Sequence, residues 1–103
     1  MSANPNPSES VLQHRTIHIS MPCRLGLHAR TAGMFIQFAK RFSSTVLIRY
    51  GETEVNGKSI LGLLMLGAAW HADLLIRVEG EDADLAAREI QDYFKDTSHC
   101  ADG

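Results

Sequence analysis

The chain has 103 residues, of which 45% are hydrophobic and 21% charged, a composition typical of one globular domain and not of a disordered or fibrous chain. Ten Lys and Arg residues against twelve Asp and Glu residues leave a formal net charge of −2, which excludes a general electrostatic attraction to nucleic acid or anionic lipid. The longest apolar stretch, Leu63 to Trp70, is far shorter than the roughly 20 residues of a membrane helix, so we expect no membrane insertion.

The first thirteen residues form a polar segment that contains Pro5 and Pro7. They carry too few apolar side chains to offset the entropy of ordering, and they lack the basic start and apolar stretch of a signal peptide. We therefore predict a disordered arm over residues 1–13 and a cytoplasmic protein. The cysteines, Cys23 and Cys100, suggest neither a disulfide framework nor a metal-ligand pair, which favours a reducing compartment.

The folded part begins with a strand. Polar and apolar side chains alternate from Thr16 to Met21, which is the period of a strand with one buried face. After Pro22, the segment from Cys23 to Gly26 is typical of a loop, because glycine permits the positive φ that a sharp re-entry requires.

A helix and a hairpin follow this loop. Apolar side chains recur at helical spacing from Ala29 to Phe42, which predicts the first helix. Alternation returns from Thr45 to Tyr50, and a turn at Gly51 leads into a short strand over Thr53 to Val55.

The second half of the chain contains a short helix, a strand and a longer helix. Ser59 is a good cap for an apolar helix from Ile60 to Leu66, and Gly67 ends it. Alternation from Asp73 to Glu79 predicts the fourth strand, and acidic residues then introduce a third helix from Ala83 to about Lys95.

The predicted element order is therefore β-α-β-β-α-β-α over residues 14–95, followed by a flexible tail over residues 96–103. One apolar face per strand and one apolar stripe per helix favour an α+β fold of two layers, with a four-stranded antiparallel sheet and all three helices on one face. We expect the other face of the sheet to be open to solvent. It carries Thr16, His18, Ser20, Thr45, Arg49 and Arg77.

The start of the first helix is the strongest candidate for chemistry. His28 occupies its N-cap region, where backbone N–H groups lack partners in the helix. A neutral imidazole is a competent nucleophile, and a phosphoryl group on its nitrogen would meet the N–H groups of Ala29, Arg30 and Thr31. The Arg30 guanidinium suits phosphate oxygens. The alternative is that His28 only caps the helix and Arg30 is solvated.

Three sequence segments together favour the interpretation that His28 accepts a phosphoryl group over the interpretation that it only caps the helix. Gly26 to Arg30 reads Gly-Leu-His-Ala-Arg, and Val55 to Leu63 and Val78 to Ala83 follow it. Together they resemble the HPr family, the histidine phosphocarriers of the bacterial phosphotransferase system. The resemblance covers roughly residues 14–95, and the predicted element order agrees with the open-faced β-sandwich of that family.

The resemblance implies a carrier that has no turnover of its own and no cofactor. In that family the residue at His28 accepts a phosphoryl group on Nδ1 from phospho-enzyme I and passes it to an enzyme IIA-type protein, and Arg30 matches the arginine that stabilises the phosphate. We expect a monomer with these protein partners. One alternative is a regulatory binding module that keeps the fold and has weak or no relay activity.

Two positions depart from the family pattern. Most members have proline directly after the arginine, whereas Thr31 adds a backbone N–H and a hydroxyl in the first helical turn, and we predict that the extra donor holds the phosphate more tightly. Leu25 stands where many sugar-pathway members have a small polar residue, and it is closer to the nitrogen-related branch. The pathway therefore stays open.

Ser59 and the short helix after it match regulatory and docking features of the family. The resemblance implies that a serine kinase modifies Ser59, although serine is also favoured there as an N-cap worth ~1 kcal/mol. The short helix has more apolar residues than one buried face can hold. We therefore predict that Ile60, Leu61 and Leu64 form a surface patch that contacts partners. Met34 and Phe38 would extend it. The alternative is that all of them belong to the core.

The remaining candidates carry less weight. His14, His18, His71 and His99 show no metal-ligand spacing, so we predict no metal site. An RNA-binding sandwich that reads bases on the open sheet face is a further alternative, but that face lacks aromatic side chains and the net charge is negative. We therefore expect no nucleic-acid partner.

Overall fold

The computed structural model describes residues 13–23, 28–67 and 72–96. Its elements confirm the predicted order and the α+β class. They are β1 (Gln13–Ser20), α1 (Ala29–Ala39), β2 (Thr45–Tyr50), β3 (Thr53–Asn56), α2 (Ile60–Leu66), β4 (Asp73–Gly80) and α3 (Ala83–Lys95).

Helix α1 is shorter than predicted. It ends at Ala39 and not at Phe42, because the N–H groups of Arg41 and Phe42 bond to the carbonyls of Phe38 and Ala39, three residues back, and tighten the last turn. Phe42 is nevertheless buried. The spacing of apolar residues therefore predicted its burial correctly but not its secondary structure.

Strand β1 begins earlier than its predicted start at Thr16. Gln13 pairs with Gly80, and its side-chain Oε1 accepts a hydrogen bond from the Asp84 N–H at 3.0 Å. Gln13 therefore belongs to the sheet and not to the predicted arm. The alternation of polar and apolar residues does not predict this part of the strand, because Gln13, His14 and Arg15 are all polar.

Several predictions fall outside the described residues. They concern the rest of the arm over residues 1–12, the loop with Leu25 and Gly26, the segment 68–71 with His71, and the tail from residue 97 with His99. They stay predictions. In the part of the chain that the structure describes, no helix is long and apolar enough to cross a membrane.

The four strands form one antiparallel sheet in the order β1-β4-β2-β3. Strand β4 lies in the middle, where Ile76 pairs with Ile17 on one side and with Ile48 on the other. The hydrophobic core lies between this sheet and the three helices. Its buried side chains from the helices are Ala32, Phe35, Ala39, Leu63, Leu66, Ala83, Ala86, Ala87 and Ile90.

The opposite face of the sheet is polar, as predicted. Thr16, His18, Ser20, Thr45 and Arg49 are exposed. Arg77 is half-buried because its guanidinium forms two hydrogen bonds with the Glu54 carboxylate, at 3.1 and 3.2 Å. Leu47 and Leu75 add half-buried apolar side chains among these polar ones.

Cys23 differs from the expectation. It is buried and disulfide-bonded, so the prediction that the cysteines stay unpaired is wrong for this residue. Separation along a sequence does not determine distance in a fold, which is why the spacing of the cysteines was uninformative. The other cysteine, Cys100, lies outside the described residues.

Candidate functional site

His28 caps the N-terminus of α1 with its own side chain. Its backbone is extended (φ −133°, ψ 179°), and its carbonyl accepts the N–H of Ala32 at 2.8 Å. The ring Nδ1 accepts the N–H of Arg30 at 3.4 Å. A nitrogen that accepts a hydrogen bond holds a lone pair, so the neutral ring carries its proton on Nε2.

Thr31 completes a reciprocal cap around His28. Its hydroxyl oxygen accepts the N–H of His28 at 3.1 Å and donates to the His28 carbonyl at 3.2 Å. The Thr31 N–H in turn is directed at the His28 side chain. The two residues form a capping box, which restrains both the backbone and the ring of His28.

The second ring nitrogen of His28 has no such support. Nε2 is buried, and no hydrogen-bond acceptor for it exists among the described residues. A buried donor without a partner costs stability, and such groups are rare in folded proteins. The ring is therefore held through Nδ1 at some cost, which is typical of a functional position.

The electrostatic surroundings of His28 favour an anion. The first turn of α1 contains no acidic side chain, so the partial positive charge of the helix N-terminus is not compensated there. Arg30 is exposed, and nothing in the described part of the chain pairs with its guanidinium. A phosphoryl group at Nδ1 would lie near backbone N–H donors and within the influence of the Arg30 guanidinium, which can donate two parallel hydrogen bonds.

Ser59 caps α2, as the sequence predicts. Its hydroxyl oxygen accepts the N–H of Gly62 at 3.0 Å, and the side chain is half-buried. The preceding Lys58 donates from Nζ to the carbonyl of Phe42 at 2.5 Å, which ties the start of α2 to the segment after α1. Gly67 ends α2 with a left-handed backbone (φ 61°).

Helix α2 buries one face and exposes the other. Leu63 and Leu66 are in the core, whereas Ile60, Leu61 and Leu64 are exposed. Met65, which the sequence analysis omitted, is the most exposed large apolar residue of the helix at 71%. It lies one helical turn after Leu61, and this i, i+4 spacing could have identified it.

We call the exposed side chains of Ile60, Leu61, Leu64 and Met65, together with Met34, the apolar patch. Met34 is exposed on α1, which packs against α2. Phe38 does not extend the patch in the same way. It is half-buried, and its ring stacks on Tyr93 at a centroid distance of 4.6 Å.

Two further features of the described residues concern the histidine on β1 and the grouping of possible metal ligands. His14 pairs with Glu79, with Nδ1 and Oε2 3.4 Å apart. Among residues 13–23, 28–67 and 72–96, no three His, Cys, Asp or Glu side chains are grouped so that they could hold a metal ion. The prediction that the chain holds no metal ion stays a prediction.

Sequence comparisons identify relatives over most of the chain. A family profile described as "PTS HPr component phosphorylation site" matches residues 15–96. The phosphocarrier protein HPr of Neisseria meningitidis serogroup A is 42% identical over 71 residues, which cover 69% of this chain and 80% of the relative. That of Xylella fastidiosa strain Temecula1 is 31% identical over 85 residues, which cover 82% and 92%.

Solved structures agree with the sequence relatives. HPr-C-His from Thermoanaerobacter tengcongensis superposes with a TM-score of 0.75 at 32% identity, over 79% of this chain and 91% of that one. HPr from Bacillus anthracis superposes with a TM-score of 0.74 at 31% identity, over 79% and 96%. The resemblance drawn from the sequence is thus confirmed, and the chain belongs to the HPr family of phosphocarrier proteins of the phosphotransferase system.

Proposed function

We propose that His28 accepts a phosphoryl group from phospho-enzyme I and passes it to an enzyme IIA-type protein. Family membership supports a phosphocarrier role in the phosphotransferase system. The observation that carries the assignment to His28 is the lone pair of Nδ1 at the start of α1, facing the N–H of Arg30. The lone pair that bonds to the helix is the one that can attack phosphorus.

In the proposed transfer, the Nδ1 lone pair attacks the phosphorus of the donor and a P–N bond forms. The bond between phosphorus and the donor atom breaks, and its electron pair returns to the donor. The N–H groups of Ala29, Arg30 and Thr31 and the Arg30 guanidinium then bind the phosphoryl oxygens. Delivery to the acceptor reverses these steps, and no cofactor takes part.

The apolar patch is the proposed docking surface for both partners. Its side chains are exposed on α2 and on the neighbouring α1, whose N-terminus carries His28. Contiguous exposed apolar side chains on a small protein are typical of interaction sites. The partners would supply the remaining catalytic groups, so the carrier has no turnover alone. Phosphoenolpyruvate is an intracellular donor, so we place this relay in the cytoplasm.

Ser59 is proposed as a second phosphorylation site, for a serine kinase. Its position at the start of α2 supports this, because a phosphate there adds charge beside the apolar patch and would repel an acidic partner. The N-cap bond to Gly62 explains the serine without any kinase. Incubation with such a kinase followed by mass spectrometry of the Ser59 peptide separates the two explanations.

The relay is tested by incubating the protein with phosphoenolpyruvate and enzyme I. We expect one acid-labile, alkali-stable phosphate that is absent from His28→Ala and present in His18→Ala, a matched change of an exposed histidine on the sheet. Incorporation into His28→Ala at the normal level would overturn the assignment. Absence of label from the unaltered protein would favour the alternative, a regulatory binding module of the same fold.

A further inference from the structure

Thr31 offers two different groups to His28. The residue is buried, with 6% of its surface exposed to solvent. The hydroxyl holds both backbone polar groups of His28, at 3.1 Å and 3.2 Å, and the backbone N–H faces the imidazole. Because Nε2 has no hydrogen-bond partner in the part of the chain that the structure describes, the ring atom that this N–H faces is Nδ1.

We propose that Thr31 lengthens the lifetime of the phosphorylated carrier, its hydroxyl by positioning His28 and its N–H by contact with the phosphoryl group. This inference rests on the proposed function of His28 and deepens it. The hydroxyl sets the backbone of His28 and thereby the direction of the ring. The N–H adds a second donor beside that of Arg30, first to the lone pair of Nδ1 and then to an oxygen of the phosphoryl group.

The change of acceptor gives the direction of the effect. In the free carrier the N–H donates to a neutral ring nitrogen, whereas in the phosphorylated carrier it donates to a charged oxygen. Hydrogen bonds to ionised acceptors are about twice as strong as those between neutral groups. The Thr31 N–H therefore stabilises the phosphorylated state more than the free state.

When the phosphoryl group leaves, the stronger hydrogen bond between the Thr31 N–H and the phosphoryl oxygen is lost. When water or an acceptor attacks phosphorus, the P–N bond breaks, its electron pair returns to Nδ1, and the phosphoryl group moves to the attacking atom. The Thr31 N–H then returns to the neutral lone pair. A residue without an N–H at this position would lose less on transfer, so its phosphorylated form would decay faster.

Three substitutions separate the two groups of Thr31. Thr31→Pro removes both the N–H and the hydroxyl and is compatible with the first turn of a helix. Thr31→Val keeps the N–H and the shape of the side chain but removes the hydroxyl. Thr31→Ser keeps both groups. The urea midpoint of each variant reports any loss of stability separately.

The first readout is the half-life of the phosphohistidine after labelling with phosphoenolpyruvate and enzyme I. We expect Thr31→Pro to shorten the half-life about five-fold and Thr31→Val about two-fold, from the difference between charged and neutral hydrogen bonds. Thr31→Ser should decay like the unaltered protein. Half-lives of the proline and valine variants equal to that of the unaltered protein would overturn the proposal.

The second readout needs no phosphorylation. The ¹⁵N NMR signals of the His28 ring report which nitrogen carries the proton and whether the other accepts hydrogen bonds. We expect Thr31→Pro to shift the Nδ1 signal toward that of a free lone pair, and Thr31→Ser to leave it unchanged. If the protein takes no label from enzyme I, the proposed function fails while this readout still tests Thr31. A lower urea midpoint with unchanged Nδ1 signal would reduce Thr31 to a helix cap and contradict the proposal.

Discussion

At the scale of single residues, Arg30 is a candidate site residue whose side chain is not fixed by contacts with the described part of the protein. Its guanidinium is exposed and free of partners within the described residues, so its charge is available to a phosphoryl group. A charge-assisted hydrogen bond contributes about 1.5–3 kcal/mol when shielded, and less in water. In the proposed function the arginine would contribute to phosphoryl transfer and little to stability.

We expect Arg30→Ala to slow phosphoryl transfer from enzyme I about ten-fold, and Arg30→Lys to recover part of the rate, because lysine keeps the charge but not the two-pronged geometry. Rapid-quench measurement of label on His28 gives the rates. The unfolding free energy should change by less than about 0.5 kcal/mol, as for other surface substitutions. Equal rates for the alanine and lysine variants would exclude a role for the charge.

Asp82 is a second residue whose role is defined by its partners. Its carboxylate accepts the N–H groups of Ser43 and Ser44, at 2.9 and 3.0 Å, and the Ser44 hydroxyl. Burial by itself would raise the pKa of Asp82, but these hydrogen bonds outweigh it and hold the pKa below its usual value of 3.8. The residue thereby joins the turn before β2 to the start of α3.

The lowered pKa predicts how stability depends on pH. The stabilisation by Asp82 is fully present above the ordinary pKa and is lost as the pH falls through the lower pKa of the folded state. We expect Asp82→Asn to cost about 1 kcal/mol at pH 7 and to weaken the fall in stability as the pH drops below the ordinary pKa of 3.8. Urea unfolding at several pH values checks this, with Asp92→Asn on the exposed side of α3 as control. If the unfolding free energy of Asp82→Asn fell at acid pH as steeply as that of the unaltered protein, Asp82 would not be the cause of that fall.

At the scale of the elements, α1 and α2 each contain one glycine in different surroundings. A Cβ added at Gly33 in α1 meets nothing within 4 Å. A Cβ added at Gly62 in α2 would lie 3.2 Å from the Asn56 carbonyl oxygen and from the Val55 Cβ. The second glycine therefore allows α2 to pack closely on β3, and the first has no such role.

This contrast predicts opposite signs for one kind of substitution. Gly33→Ala should stabilise the protein by about 0.5–1 kcal/mol, because alanine loses less backbone entropy in a helix. Gly62→Ala should destabilise it by about 1 kcal/mol, because α2 must move away from β3. Thermal unfolding of both variants distinguishes them. The same sign for both would show that the packing of α2 adapts freely.

The apolar patch on α2 should affect binding and not stability. Leu61→Glu and Met65→Gln change side chains that are 65% and 71% exposed, so we expect the unfolding free energy to move by less than about 0.5 kcal/mol. The affinity for enzyme I should fall at least ten-fold in Leu61→Glu, because a charge enters an apolar interface. Titration calorimetry measures the affinity.

Two controls define this result. Leu85→Glu changes an exposed leucine of α3 outside the patch, and it should leave the affinity unchanged. Leu63→Ala removes a fully buried side chain of α2 and should cost about 2–5 kcal/mol of stability. If Leu85→Glu weakened binding as much as Leu61→Glu, the patch would not be the docking surface.

At the scale of the whole molecule, the sheet leaves two edge strands. Among the described residues, β1 pairs with β4 alone and the short β3 pairs with β2 alone. Related structures include one described as an HPr dimer, from Thermoanaerobacter tengcongensis, with a TM-score of 0.62 at 34% identity over 75% of this chain and 88% of that one. Edge strands can pair between chains, but charged side chains discourage it, and Arg15 lies on β1.

We predict that this protein is a monomer. Light scattering coupled to size exclusion should give the mass of one chain over a wide concentration range, because the apolar face of the sheet is already covered by helices and the open face is mostly polar. A mass of two chains, or one that rises with concentration, would contradict this prediction.

Local patterns in the sequence determined the element order and indicated the candidate site. Ser59 and Gly67 bound α2 at both ends, and His28 precedes α1, because caps and helical periodicity depend only on neighbours in the chain. The same patterns misplaced the end of α1, since Phe42 is buried by the tertiary fold without being helical.

Only the tertiary structure decided which distant groups meet. The bonds from Ser44 to Asp82 and the pairing of Gln13 with Gly80 join residues far apart in the sequence. The reciprocal bonds of Thr31 with His28 are local, but they depend on a side-chain rotamer that sequence does not specify. The sequence by itself therefore singled out His28 as the candidate phosphoacceptor, and the fold decided how firmly its ring is held, because that depends on distances of a few ångströms.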